Sequence, residues 1–282
     1  NQSELELKLN TTNYDLLVLP YSSAFPETAW PKIKEYLKNG GNLLILGGKP
    51  FSVPLTQPSP SRGEGKGEGE LRNTLAYAKE LLINDTFEIP KTRLSQVTIQ
   101  KHNENFEFLA LPQIDFERAF AMTIRLSSKD MYNRLGSWGS IDAKWEGLIY
   151  GASQDNRKLA ALVSYVDHLQ NDFTDSRWVF ANFEPKAGYW ESPNGKKLIQ
   201  TLAQFATQGA VGFKAMPTQA NYRAKEKAAI HVAFENPKNK KQSFEVSLGL
   251  IRKGQVVETL KKFRSFQAES FDDTFKFKTS LK

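Results

Sequence analysis

The sequence predicts an α/β fold: a parallel sheet carrying a β-rich insertion, followed by an antiparallel β-sandwich. Three observations predict it. YDLLVLP and GGNLLILGG bracket a helical pattern between Tyr14 and Gly48. The apolar period shortens to two between Phe87 and Leu126, and alternation returns beyond Pro217 between turn-forming residues.

In the first unit, Leu16, Leu17, Val18 and Leu19 form a continuous apolar run ended by Pro20, as suits a strand buried on both faces. Pro26-Glu27-Thr28 opens a helix, with its acid at the positive end of the dipole. Trp30, Ile33, Tyr36 and Leu37 make one apolar stripe, and Gly40-Gly41 stops the helix with a left-handed cap. Asn42–Leu46 is the next buried strand. Strand, helix and parallel strand form a right-handed crossover.

Residues 55–70, LTQPSPSRGEGKGEGE, break this pattern with Pro, Gly, Ser and charge, so no core can form there. They lack the order of a phosphate loop and are read as a disordered insertion. Leu71–Leu82 carries a helical stripe. The β-rich elaboration, about 87–140, contains Val97 and Ile99, then Phe106 and Phe108, with Asn103-Glu104-Asn105 as a hairpin turn, then Phe120, Met122 and Ile124. Leu148–Tyr150, Ala160–Val166 and Trp178–Phe183 read as strands, and 194–207 as a helix capped by Gly209. Ala229–Phe234, Phe244–Ile251 and Val256–Phe263 are antiparallel strands of a sandwich.

Bulk composition narrows the function classes. The chain has 282 residues, enough for two domains, with 40% hydrophobic and 24% charged residues. Net charge is +7 and pI about 9.3, but the basic residues are scattered, which argues against nucleic acid. No apolar run reaches the roughly 18 residues of a membrane helix. Cysteine is absent, which removes disulfides, thiolate metal sites and a Cys nucleophile. His102, His168 and His231 lack ligand spacing, so neither a metal nor a cofactor is expected. The chain begins at Asn1 rather than Met, which leaves open a natural start and a leader upstream. The sandwich is expected to be cut short before Lys282.

At YDLLVLPYSSAFPETAWPKIKEYLKNGGNLLILGG the sequence resembles the class I glutamine amidotransferase-like superfamily. Within it, the stretch is similar to the non-catalytic domains of large bacterial glycoside hydrolases, including β-galactosidase-type proteins. The resemblance covers Tyr14–Gly48 well and Leu159–Ala210, with RWVFANFEP and ATQGA, more loosely. It implies a flavodoxin-like domain over 1–212 and an Ig-like β-sandwich over 213–282. It also implies partners among other domains of the same longer chain, copies of itself, or carbohydrate. The superfamily's catalytic cysteine has no counterpart here. Ser153, in LIYGAS, imitates the nucleophile elbow but lacks its second glycine.

The remaining site candidates are polar strand ends and loop aromatics. Asp167, His168 and Glu184 follow apolar runs, where α/β sheets place ligands. Trp138, Tyr189 and Trp190 stand in loops beside small residues, where flat rings can pack on the CH face of a sugar. Trp30, Trp145 and Trp178 sit in patterned segments and are expected in the core. The function expected is a non-catalytic accessory module of a carbohydrate-active protein. The alternatives are a glycoside hydrolase fragment or a sugar-binding module.

Overall fold

The computed structural model describes residues 2–21, 27–48, 50–51, 75–94, 96–99, 114–126, 143–223, 225–235, 242–252, 255–266 and 270–280. The insertion at 55–70, the hairpin at 103–105 with Phe106 and Phe108, Trp138, and most of the loop after Pro20 lie outside the described residues. The fold consists of mixed sheets with few helices. Two compact units divide it, 1–209 and 210–282.

In the first unit, helix α1 (Gln2–Lys8) precedes strand β1 (Leu16–Leu19). A 3-10 turn over Glu27–Ala29 leads into α2 (Trp30–Lys38), then β2 (Asn42–Leu46). Gly40 takes φ +81°, and Gly41 N–H returns to the Tyr36 carbonyl at 3.0 Å, so the predicted glycine stop is a left-handed cap. Then come α3 (Leu75–Glu80), β3 (Ile83–Pro90), β4 (Gln96–Ile99) and β5 (Phe116–Ile124). The unit ends with β6 (Ala143–Ala152), β7 (Lys158–His168), β8 (Arg177–Ala181), β9 (Phe183–Pro185) and α4 (Pro193–Thr207).

The main sheet has the order β1-β2-β8-β7-β6-β4. Strands β1, β2 and β8 are parallel, whereas β7, β6 and β4 each pair antiparallel with the strand before. The expected parallel sheet is therefore only half of the observed one. Short links explain the other half: β6 joins β7, and β7 joins β8, through turns too brief for the crossover that a parallel pair needs. Nor is the β-rich insertion a separate body. Its β4 completes the main sheet, while β3 and β5 form a second sheet, β3-β5-β9, with a strand from the closing part.

Helices cover both faces of the parallel half. Ile33, Tyr36 and Leu37 of α2 pack with Leu43, Ile45, Trp178 and Phe180. On the other face, Leu198, Leu202 and Phe205 of α4 pack with Leu44, Val179 and Tyr165. Ser192 caps α4 by accepting from Gly195 N–H at 3.1 Å, and Pro193 occupies the first turn. Trp30 and Trp178 are core residues as predicted; Trp145 is not, being 38% exposed.

The second unit has β10 (Gly212–Pro217), β11 (Lys227–Glu235), β12 (Gln242–Arg252), β13 (Gln255–Phe266) and β14 (Ser270–Ser280). Strands β10-β11-β14 form one antiparallel sheet and β12-β13 a second. Val232, Phe234 and Phe275 of the first meet Val246 of the second, with Leu248 and Leu260 packed beside them. This is a small sandwich with one apolar layer.

At the amino edge of the parallel strands, fully buried Asn42 links all three. Its amide donates to the Asp15 carbonyl and accepts from Arg177 N–H, each at 2.9 Å. Asn42→Ala leaves the buried Arg177 N–H without its acceptor and removes the donor from the partly buried bond to the Asp15 carbonyl. It is expected to lower unfolding stability by about 2–4 kcal/mol, read from urea denaturation at unchanged m-value.

Candidate functional site

Asp167 and His168 close β7, but β7 runs against its neighbour. Asp167 therefore pairs with Arg177, the first residue of β8, at the amino edge of the parallel strands. Ligands of an open α/β sheet gather at the carboxyl edge. The candidate pair lies on the other side.

Its surroundings explain why the chain keeps these residues. Asp167 and Arg177 form a bidentate ion pair, Nε–Oδ1 2.6 Å and Nη2–Oδ2 2.8 Å, with side chains only 3% and 6% exposed. Arg177 Nη1 reaches the Phe205 carbonyl at 3.3 Å and Gln208 Oε1 at 3.4 Å, at the carboxyl end of α4 where cations are favoured. The guanidinium also lies 4.0 Å from the Phe205 ring centroid and 5.2 Å from that of Tyr165. Burial, then the Asp167 carboxylate, holds the Tyr165 phenol well above its ordinary range. His168 is buried against Trp178, ring centroids 4.2 Å apart, and Phe173, 5.5 Å. The turn back to β8 sets Asn171, Phe173 and Asp175 at positive φ and drives Phe173 into the core. Asn and Asp tolerate that conformation, whereas a bulky Phe173 takes it only where packing compensates.

Glu184 stands in β9 of the second sheet, past the other end of β8, paired with Arg118 of β5 and half exposed. It lies seven positions beyond Arg177. At about 3.3 Å per strand residue, β8 alone carries the chain about 13 Å from Arg177 to Ala181, and Glu184 lies beyond the turn into the second sheet. Glycosidase carboxyl pairs stand about 5–9.5 Å apart. The structure does not bring these two together.

Tyr189 and Trp190 do come together, as packing. Tyr189 is buried, 6.1 Å from Phe183 and 5.1 Å from Trp190, and Trp190 rests 5.4 Å from Phe183. The turn holding them presses on α4: a Cβ on Gly195 would stand 2.0 Å from the Tyr189 carbonyl oxygen, so only glycine fits there. Ser153 sits in the β6–β7 turn, where it bonds Asp155 and accepts from Arg157 N–H at 3.2 Å. That is turn chemistry, with no histidine in reach of it among these contacts.

A groove that the sequence reading missed lies elsewhere in this unit. Phe120 and Met122 of β5, Trp145 and Tyr150 of β6, and Lys158 and Ser164 of β7 line it, together with Asn182. Its volume is about 190 Å³. One signal was available: Trp145 sits between Lys144 and Glu146, a charged setting unusual for a core tryptophan. Asn182 carried none, because its role depends on a sheet switch. Among the described residues, no group of three or more His, Asp or Glu side chains could hold a metal ion. No described helix is long and apolar enough to cross a membrane.

No protein-family model matches the sequence, and no curated protein matches it. Among solved structures, similarity is found to a β-galactosidase from the Antarctic haloarchaeon Halorubrum lacusprofundi, at 11% identity and TM-score 0.35, over 93% of this chain and 33% of that one. A GH42 β-galactosidase from G. stearothermophilus gives 11% identity and TM-score 0.36, over 95% and 33%. A β-galactosidase from Bacillus circulans sp. alkalophilus gives 11% identity and TM-score 0.29, over 93% and 33%. The chain spans about a third of the length of each. At these scores the likenesses establish neither a shared fold nor a shared activity.

Asp167→Ala leaves the Arg177 charge buried without its partner. The expected loss is about 3–5 kcal/mol of unfolding free energy, measured by denaturant titration. The Tyr189 phenol behaves differently. Burial, aided by the Asp115 carboxylate, pushes it up to about 12, and among the described residues its hydroxyl has no hydrogen-bond partner. The unfolded phenol loses its proton near pH 10, and the folded one only near 12. Stability is therefore unaffected by this group below pH 10 and falls as pH rises from 10 to 12. Tyr189→Phe is expected to match or exceed the wild-type melting temperature at pH 7 and to fall less steeply above pH 10.

Proposed function

We propose that the chain is a non-catalytic accessory module of a larger carbohydrate-active protein of the glycoside-hydrolase kind. In this reading its role is to pack against other domains of the same chain or against copies of itself. The larger unit is read as a flavodoxin-like, amidotransferase-like domain, and the smaller as an Ig-like sandwich.

One observation carries the non-catalytic reading. The two strand-end acids stand apart and each is ion-paired: Asp167 is buried against Arg177 at one edge of the main sheet, and Glu184 pairs with Arg118 in the second sheet. General acid–base catalysis needs both groups within reach of one substrate atom. Nucleophilic catalysis of the amidotransferase kind needs a cysteine, and the sequence has none. The parallel half β1-β2-β8, with α2 on one face and α4 on the other, supports the flavodoxin-like reading; the antiparallel half is its departure. The carbohydrate setting rests on the resemblance at Tyr14–Gly48, since fold alone does not carry function.

A panel of chromogenic glycosides, together with glutamine, tests this reading on the purified chain. No turnover above buffer is expected. Hydrolysis that persists through purification and disappears in Glu184→Gln would overturn it.

A further inference from the structure

The groove between β5, β6 and β7 has the chemistry of a ligand site, and we propose that it binds a single pyranose ring. Trp145 begins the case. It lies near the start of β6, on a stretch that pairs with β7 alone among the described strands; it is 38% exposed and lines the groove, as does Leu159, also 38% exposed, further along. A large flat apolar surface left open in a strand is the informative kind of exposure.

The second, independent observation is Asn182. It is only 4% exposed and lines the same groove. Its amide nitrogen gives both hydrogens to the protein, one to the Ala161 carbonyl at 3.2 Å and one to Ser164 Oγ at 3.0 Å. The Ala161 carbonyl can only accept, so the amide nitrogen must face it. Oδ1 is left as the acceptor, and among the described residues nothing donates to it. Ser164, fully buried, adds a hydroxyl in the same lining. At the rim, the Lys158 ammonium lies 4.4 Å from the Tyr150 ring centroid.

Size and polarity choose the ligand class. At about 190 Å³ the groove is below the roughly 300–1,000 Å³ of drug-sized pockets and suits one small ring. A wholly apolar ligand would leave the Asn182 oxygen desolvated and without a donor. An anion would meet that same oxygen lone pair. A pyranose satisfies both walls: its CH face packs on Trp145, and a hydroxyl donates to Asn182 Oδ1. The site is separate from Tyr189 and Trp190, which are packed in the core. The proposal rests on the groove alone and gives the module reading a ligand.

The test is saturation-transfer NMR on the 282-residue chain with galactose, glucose, mannose and xylose and their methyl glycosides. At least one sugar is expected to take up saturation, strongest on its ring CH protons. Trp145→Ala, with folding checked by its melting temperature, should weaken that binding by about tenfold or more. Should Trp145→Ala fail to fold, Trp145→Phe carries the test and should weaken binding by about threefold. Silence from every sugar, or equal affinity in the folded variant, overturns the site and leaves the module reading standing. Hydrolysis of a bound methyl glycoside overturns the module reading and leaves the site standing.

Discussion

The larger unit depends on one buried ion pair. Asp167 and Arg177 face each other across the β7–β8 seam, where the parallel half of the main sheet meets the antiparallel half. Burying two charges is costly unless geometry and further hydrogen bonds compensate. Here the pair is bidentate, and the spare guanidinium donor reaches the last turn of α4. Lysine could not do this, because only the planar fork binds a carboxylate twice and still offers a donor beyond it. One residue thus sets the seam between the strands and the end of α4 through its side chain and, through its backbone N–H to Asn42, the start of β2.

Asn182 does the corresponding work at the far end of β8. Its N–H donates to Leu162 of β7, and its carbonyl accepts from Phe120 N–H of β5. The chain leaves the main sheet there and enters the second one as β9. The groove lined by Trp145 and Asn182 lies beside that switch, between β5 of the second sheet and β6 and β7 of the main one. The residue that completes this backbone accounting also lends the groove its amide.

How far the candidate site was legible differs from residue to residue. Asp167 and His168 were visible as a polar end to an apolar run, yet the run's direction was hidden, and direction decides which edge the pair occupies. Tyr189 and Trp190 were visible as aromatics near small residues. Gly188, at φ +77°, permits the turn that folds them inward rather than out to a ligand. Trp145 was read as core because the strand pattern was right while the face was not. Register shifts near Gly147, Ile149 and Gly151 interrupt the period of two in β6, so position along the strand no longer reports the side-chain face.

Local physics was enough for the elements themselves. Apolar period, proline and glycine placed β1, α2, β2, α4 and three of the five described strands of the second unit, β11, β12 and β13, because each is decided by neighbours a few residues away. The absence of cysteine, and of the chemistry that requires it, was equally a property of the sequence alone. Tertiary structure decided the rest: that β7 runs antiparallel to β8, that β4 completes the main sheet, that Asp167 serves Arg177, and that Trp145 stays open beside Asn182. These outcomes depend on pairings between segments far apart in the chain. Such pairings are settled by the competition to bury apolar faces and satisfy backbone hydrogen bonds together, and no local window of sequence contains that competition.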